Sequence, residues 1–527
     1  MEFQDSFGAA FGRLVKRRRS EQRITQGQLA AKLFPKIENA EDTRKGDISK
    51  LENGKVANPQ TTTIKKIADI LDITEAEIDQ LQREAQTPAA QKLDHLNTLS
   101  RDALELLASR FDIEKPRRLS DSELVGVLTQ KAEDFHRYRA EIEAIDERTK
   151  GLGNLKAAAR EAAERLDFDE VENLLAMVDI TETEIAAQTK MLRASNALMR
   201  GRAEQAYTIL EAAADSFASL SPLAPSQRRI SNAHVLNQHG LRYGGTGMAL
   251  SIKMLQTALE PLSIDENPTL WAYARNSLGN ALQVQAQRTE GPGGTALLND
   301  AIHAHRDALT VYTKANHRVP WAGTQNNLAG ALSDQARRNE SPDSAALLSE
   351  SVQAYRGALT VFTKAEHKVK WAGTQQNLGN ALIDQAEISK AIKAYGNALE
   401  VFTEAEHAVD WAMTQSNLAH ALKEKALRSD GPDSINLFNK AIHAYHEALR
   451  VRTKAEHPMQ WAETKGNLAI LVFARANHSA TQDPHLHLQA ALAYVDEALT
   501  KLDSTHTARD HATLTRLRDD ILKALSN

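Results

Sequence analysis

The chain contains no cysteine among its 527 residues. That removes disulfides, thiolate zinc sites and cysteine nucleophiles from consideration. It also lacks any apolar run near the ~18 residues that a membrane-spanning helix needs. Its first residues show no signal-peptide apolar core, so a cytoplasmic protein without membrane association is expected. No glycine-rich phosphate loop, HExxH pair or catalytic-triad spacing occurs. An enzyme is therefore not expected, nor a cofactor or a metal. What remains is an ordinary soluble composition, 25% charged and 42% apolar, in a chain too long for one core.

Charge is unevenly placed. Residues 1–70 hold 14 Lys/Arg against 9 Asp/Glu, a balance of +5, which leaves −10 of the net −5 on the remainder. A basic head on an acidic body points to a polyanion as the partner of the head.

Tryptophan is scarce and regular. The five are Trp271, Trp321, Trp371, Trp411 and Trp461, spaced 50, 50, 40 and 50 residues apart. Each opens a similar phrase, such as Trp371-Ala-Gly-Thr-Gln-Gln-Asn-Leu-Gly-Asn-Ala-Leu382. Each is followed by a second phrase, such as Ala391-Ile-Lys-Ala-Tyr-Gly-Asn-Ala-Leu399. Fixed-period self-similarity means a repeat array. Apolar residues at Ala391, Tyr395, Ala398, Leu399 and Phe402 have helical spacing. The unit is thus a pair of helices, with the tryptophans assigned to packing between repeats. The 50-residue spacings insert ten residues between the paired helices, reading Glu290-Gly-Pro-Gly-Gly294, Glu340-Ser-Pro-Asp-Ser344 and Asp430-Gly-Pro-Asp-Ser434. These spell a helix stop, a turn and a new start.

Leu378-Gly379, Leu382, Ala391, Tyr395 and Ala398 resemble the packing positions of the tetratricopeptide repeat. The resemblance covers 270–500 closely and 155–260 loosely. It implies that two positions of each first helix, flanking the small Gly/Ala, face a concave groove. Carried over, they are Asn276 and Asn280, Asn326 and Gly330, Gln376 and Asn380, Ser416 and His420. One turn on lie Gln283, Asp334, Asp384 and Lys423. Carboxamides suit an extended peptide, because one side chain both accepts from N–H and donates to C=O. The Asn326-Asn327-Leu328-Ala329 phrase is also similar to the asparagine-rich helices of kinesin light chains and of bacterial peptide-sensing regulators. Asn327, Asn377, Asn417 and Asn467 recur at one register and read as bridges between helices. His317, His367, His407 and His457, each four residues before a tryptophan, read as packing or capping residues.

The head begins with an amphipathic helix from Phe7 to Arg19. Thr25 then caps Gln26-Gly-Gln-Leu-Ala-Ala-Lys-Leu33, and Ile48-Ser-Lys-Leu-Glu-Asn-Gly54 closes a further helix on a glycine. With Pro59 and Ile67-Ala-Asp-Ile-Leu71, these phrases resemble the Cro/repressor-type (XRE-like) helix-turn-helix family. In that fold the second motif helix enters the major groove. The resemblance implies double-stranded DNA as partner. Lys45, Gly46 and Lys50 become the base-edge candidates, Arg44 and Ser49 their neighbours, and Gln26 and Asn53 the phosphate contacts. About eight extra residues within 34–43 separate the two motif helices, a departure from the family pattern.

Ser120-Asp-Ser-Glu123 reads as a capping box that opens a polar helix to about Lys150. Its apolar positions (Leu124, Val127, Leu128, Phe135, Ile142, Ile145) suit packing on the solenoid or a dimer helix. The expected fold class is all-α, with a helix-turn-helix head at 1–85 and a helical linker at 86–153. Degenerate repeats follow at 154–265, and a tetratricopeptide array with a capping helix at 266–527. The order resembles bacterial peptide-responsive quorum regulators. This implies a homodimeric transcription regulator whose groove senses a peptide or partner protein. A protein-interaction scaffold with an accessory head, as in a defence or stress system, is the alternative.

Overall fold

The computed structural model describes residues 7–53, 55–56, 59–86, 92–113, 116–164, 168–338, 343–502 and 507–526. The Gly54 cap, Pro88 and residues 340–342 of the second insert lie outside the described residues. All regular structure among the described residues is helical, as expected. The chain forms two units, Met1–Leu250 and Ser251–Asn527.

The first unit opens with α1 (Phe7–Glu21), α2 (Gln26–Leu33), the single turn α3 (Ala40–Thr43), α4 (Lys45–Glu52), α5 (Thr61–Leu71) and α6 (Glu75–Gln86). Thr25 caps α2 as the sequence suggests: its hydroxyl accepts from Gln28 N at 3.1 Å, and Gln28 Oε1 accepts from Thr25 N at 2.9 Å. The stripe Phe11, Leu14 and Val15 of α1 meets Leu29, Ile48, Leu51, Ile67 and Leu71 in one core. Gly12 sets the closest approach, since a Cβ there would stand 2.0 Å from Leu51 O. The insert between α2 and α4 is a turn plus α3, and only Ala40 of that turn is buried.

A second small core follows, Leu93, Leu96, Leu104 and Leu107 against Leu124 and Leu128. It joins α7 (Arg101–Arg110) to α8 (Asp121–Glu164). The capping box at the start of α8 is present, with Ser120 N donating to Glu123 Oε2 at 2.7 Å and Glu123 N to Ser120 Oγ at 3.3 Å. The helix expected to stop near Lys150 instead continues to Glu164. Gly151 and Gly153 lie within it with nothing within 4 Å of a Cβ. Two helical glycines cost roughly 1 kcal/mol each, and the Lys/Ala/Glu-rich sequence around them outweighs that. The side chains of Ile142 and Ile145 lie outside the described residues. Next come α9 (Phe168–Met199), which packs along α8, then α10 (Ala203–Asp215) and α11 (Ala224–Tyr243). The division between units falls inside α12 (Gly247–Leu259).

The second unit is a stack of hairpins. Their first helices are α13 (Pro268–Gln287), α15 (Arg318–Arg338), α17 (Lys368–Asp384), α19 (Ala408–Leu427) and α21 (Pro458–Ala476). Their second helices are α14 (Gly291–Val311), α16 (Asp343–Leu359), α18 (Ile388–Leu399), α20 (Gly431–Val451) and α22 (Pro484–Leu499), and α23 (Ala508–Ser526) closes the array. In the hairpins of α14 and α20 the extra residues are not loops. They lengthen the second helix, from 12 residues in α18 to 21 in α14 and α20. Gly291 and Gly431 turn the chain at φ +65° and +66°, which a β-carbon would disfavour. The proline after each glycine then starts the helix.

Every hairpin closes through a pair of fully buried alanines: Ala272 with Ala308, Ala322 with Ala358, Ala372 with Ala398. The tryptophans cover these pairs and span repeats, since Trp321 packs with both the Ala308 and Ala358 clusters and Trp371 with both the Ala358 and Ala398 clusters. The four link histidines begin the first helices as capping and packing residues. Each donates its N–H to a threonine four residues back, and Phe362 and Phe402 lie 5.6 Å from His367 and His407.

Two glycines of α17 separate packing from propensity. A Cβ on Gly379 would stand 2.5 Å from Tyr395, whereas one on Gly373 meets nothing within 4 Å. Gly379→Ala is expected to destabilise the array by ~1–3 kcal/mol through overpacking. Gly373→Ala is expected to stabilise it by ~0.5–1 kcal/mol through helix propensity. Denaturant melts of the two variants read both signs.

Candidate functional site

In the head, α4 buries Ile48, Leu51 and Glu52 and turns Lys45, Gly46 and Lys50 to solvent, with Ser49 half-buried between them. Glu52 is the hub. Its carboxylate, 4% exposed, accepts from Arg19 Nε and from Gln26 Nε2, both at 2.6 Å. Arg19 also donates to Ile24 O at 2.7 Å. One buried carboxylate thus ties α1, α2 and α4 together, and it fixes the presentation of the outer face of α4. The sequence reading missed Glu52, because a glutamate on a polar helix carries no signal of burial.

This geometry sorts the head candidates. Lys45 and Lys50 are exposed and form no ion pair with described residues. Arg44 pairs with Asp47 at 3.1 Å and stacks over Phe34 at 5.5 Å, so the insert positions it. Asn53 Nδ2 donates to Ser49 O at 2.8 Å and closes α4 itself. Gln26 is partly committed to Glu52, which leaves its carbonyl oxygen for an external partner.

In the second unit the first helices present their amides along a cleft of about 340 Å³. Among its lining residues are Asn326, Gly330, Asp334, Asn380 and Gln283, all anticipated, and Gln287, Arg337 and Tyr355, which were not. None of the lining side chains is aliphatic. Asp334 is held by Gln283 Nε2 at 2.9 Å, by Gln287 Nε2 at 2.8 Å and by Arg337 at 3.2 Å. Arg337 also reaches Asp384 at 2.8 Å. Burial raises the Asp384 carboxyl above its usual range despite that guanidinium. The signal for Arg337 lay in the long first helix, whose last turn adds side chains that the standard repeat lacks.

Several candidates are occupied by the fold. Asn276 Oδ1 lies 3.1 Å from His305 Nδ1 and accepts from Asn327 Nδ2 at 3.3 Å. Asn380 Oδ1 accepts from the Tyr395 hydroxyl at 2.8 Å and from Asn417 Nδ2 at 3.1 Å. Asn327 and Asn417 are therefore bridges between repeats, as read. Gln376 is only 4% exposed and offers little to a ligand. Ser416 accepts from Arg452 at 3.2 Å, and His420 is exposed, 3.9 Å from Glu424. Neither lines the cleft, and neither Asn276 nor Asn280 does. Asn326 differs from all of these, because its Oδ1 is buried and takes no donor from the described residues.

A register rule explains where the cleft opens. Tyr355 and Tyr395 lie against first-helix positions Gly330 and Asn380, and the repeat places His305 and Tyr445 at the same register as Asn280 and His420. Only one of these opposing positions is glycine. At Gly330 no side chain meets the Tyr355 hydroxyl, and a Cβ would stand 3.6 Å from it and 3.1 Å from Gln283 Nε2.

No protein-family model matches the sequence, and no curated protein sequence does either. Solved structures with a weak likeness to the chain include two. The apo form of RapI is 12% identical, with a TM-score of 0.39, covering 72% of this chain and 98% of its own. A Rap protein complexed with Competence and Sporulation Factor is 13% identical, with a TM-score of 0.35, covering 72% and 99%. At such identities and scores nothing about ligand or partner follows from them.

His305 provides a pH test of the register. It is fully buried against Gly279, and burial pushes its pKa well below the ordinary histidine range, down to about 3. The unfolded chain therefore binds the extra proton first as pH falls. The stability lost through this group grows below pH ~6.5 by up to ~1.4 kcal/mol per pH unit, until the folded imidazole titrates. His305→Tyr installs the residue of the neighbouring repeats, with its hydroxyl opposite Asn280. Denaturant melts from pH 7 to 4 should show a shallower acid loss in the variant.

Proposed function

We propose that the protein is a DNA-binding transcriptional regulator whose helical-repeat groove senses a peptide. The observation that carries the reading is the outer face of α4. A buried carboxylate locks α4 onto α1 and α2, and Lys45 and Lys50 stand exposed without ion-pair partners among the described residues on the motif's second helix. Lysines so placed read guanine O6/N7 in the major groove, while Gln26 and the α2 cap set the register against phosphate. One head contacts only a short half-site, so a homodimer with half-sites ~34 Å apart fits the reading. The peptide assignment is supported by the cleft at Gly330. An acceptor without a protein donor, amide side chains and an Asp–Arg–Asp row match the alternating donors and acceptors of an extended backbone. A peptide that binds one head arrangement better than the other by ~1–3 kcal/mol would act as a switch.

A second reading keeps the groove and changes the head. Gln26 and Asn53 spend hydrogen bonds within the fold, as they would in a head that only packs against a partner protein. Salt dependence separates the two readings, because phosphate contacts release counterions and protein docking does not.

On a duplex enriched from a random pool, Lys50→Ala should lose ~1–3 kcal/mol of binding and relax one base step. Double Lys45→Ala/Lys50→Ala variants that bind that duplex as tightly as wild type would remove the assignment. For the groove, heptapeptides enriched on the full chain should not be retained by Gly330→Asn, whose side chain fills the cleft. Asn326→Ala should weaken them by ~0.5–1.5 kcal/mol or more with its melting temperature unchanged. Peptides retained equally by both variants bind elsewhere.

A further inference from the structure

A larger cavity lies in the first unit. It is an open cleft of about 810 Å³ where α8, α9, α10 and α11 meet. Its apolar wall includes Met191, Leu198, Met199 and Val235, and its polar lining includes His239, Tyr243, Arg137, Arg242 and Asp134. A volume of this size suits a small organic molecule, and an apolar wall with a few convergent polar groups is the usual make-up of such sites.

The charge at this polar lining is out of balance. Lys131, only 4% exposed, lies behind it. Its ammonium sits 3.8 Å from the Tyr243 ring centroid and 3.5 Å from Leu198 O, and no carboxylate pairs with it among the described residues. The nearest acid, Asp134, is already used: Oδ1 accepts from Arg242 at 2.8 Å and from Arg137 at 2.5 Å, and Oδ2 accepts from the Tyr243 hydroxyl at 2.5 Å. Glu133 is bound to Arg242 as well. Three cations thus face two carboxylates. His239 Nε2 lies 3.0 Å from Leu198 O, and its Nδ1 is buried without a partner among the described residues. A buried cation lacking a counter-charge is costly, and here burial lowers the Lys131 pKa to about 8.

We propose that this cleft binds a small amphipathic anion, an acyl or aryl chain carrying one acid group, with the acid end toward His239 and Tyr243. The apolar wall takes the chain, and the acid group supplies the charge that Lys131 lacks. The site lies in the same unit as the head and is independent of the peptide groove.

Calorimetric titration of the full chain with decanoate tests this, with decyltrimethylammonium as the same tail with opposite charge. Saturable one-to-one binding of decanoate is expected, at least ten-fold tighter than of the ammonium. Lys131→Met keeps the shape of the side chain and removes its charge, and it should weaken decanoate at least ten-fold. Gln238 is an exposed residue at the rim, so Gln238→Trp should block the cleft without disturbing the fold, as circular dichroism would verify. Equal binding of the two amphiphiles, or decanoate binding that survives Gln238→Trp, would overturn the proposal. If Lys131→Met fails to fold, the Gln238→Trp and opposite-charge arms still decide.

Discussion

The second unit depends on one recurring approach of helix to helix, an alanine against an alanine under a tryptophan. Neither helix of a hairpin can bury its apolar stripe alone, so stability comes from stacking. The stack requires that backbones come close at Ala322 and Ala358 and at their counterparts. A single indole then covers the joint and reaches the next repeat. The spacing of tryptophans is the spacing of joints. That is why a ten-residue insert is absorbed as added helical turns in α14 and α20, while the joints stay in register.

With the joints fixed, everything along the helices is fixed too. In the second and third hairpins the residue nine positions beyond the tryptophan, Gly330 or Asn380, faces the tyrosine of its partner helix. Where that residue is Asn380, the pair closes on itself and also takes Asn417 from the following repeat. Where it is Gly330, the pair stays open and a polar cleft remains. The polar cleft is a local exception to a packing pattern, and the tyrosine beneath it stays buried.

The architecture was legible because it is periodic. The tryptophans, the glycine–proline helix starts and the link histidines all announced themselves by spacing. The groove was legible only in part. Asparagines at one register look alike in sequence, and whether an amide is spent on a neighbour, as in Asn276 and Asn380, or left open, as in Asn326, depends on the opposite helix. Glu52 and Lys131 were illegible for a related reason. Each is a charged residue on a polar-looking helix, and its burial is decided by elements distant in sequence. The length of α8 was misjudged because two glycines resemble a stop when only local signals are weighed.

The head follows a different logic from the array. One buried carboxylate, Glu52, replaces the joints, and it orients α4 so that its lysines face outward. The central claim is that this face reads DNA. Its most direct test is the enrichment of duplexes from a random pool by the full chain at physiological salt. The account predicts a palindromic motif with half-sites about 10 base pairs apart, bound with an affinity that falls steeply as salt rises. Recovery of no sequence above the starting pool would contradict it.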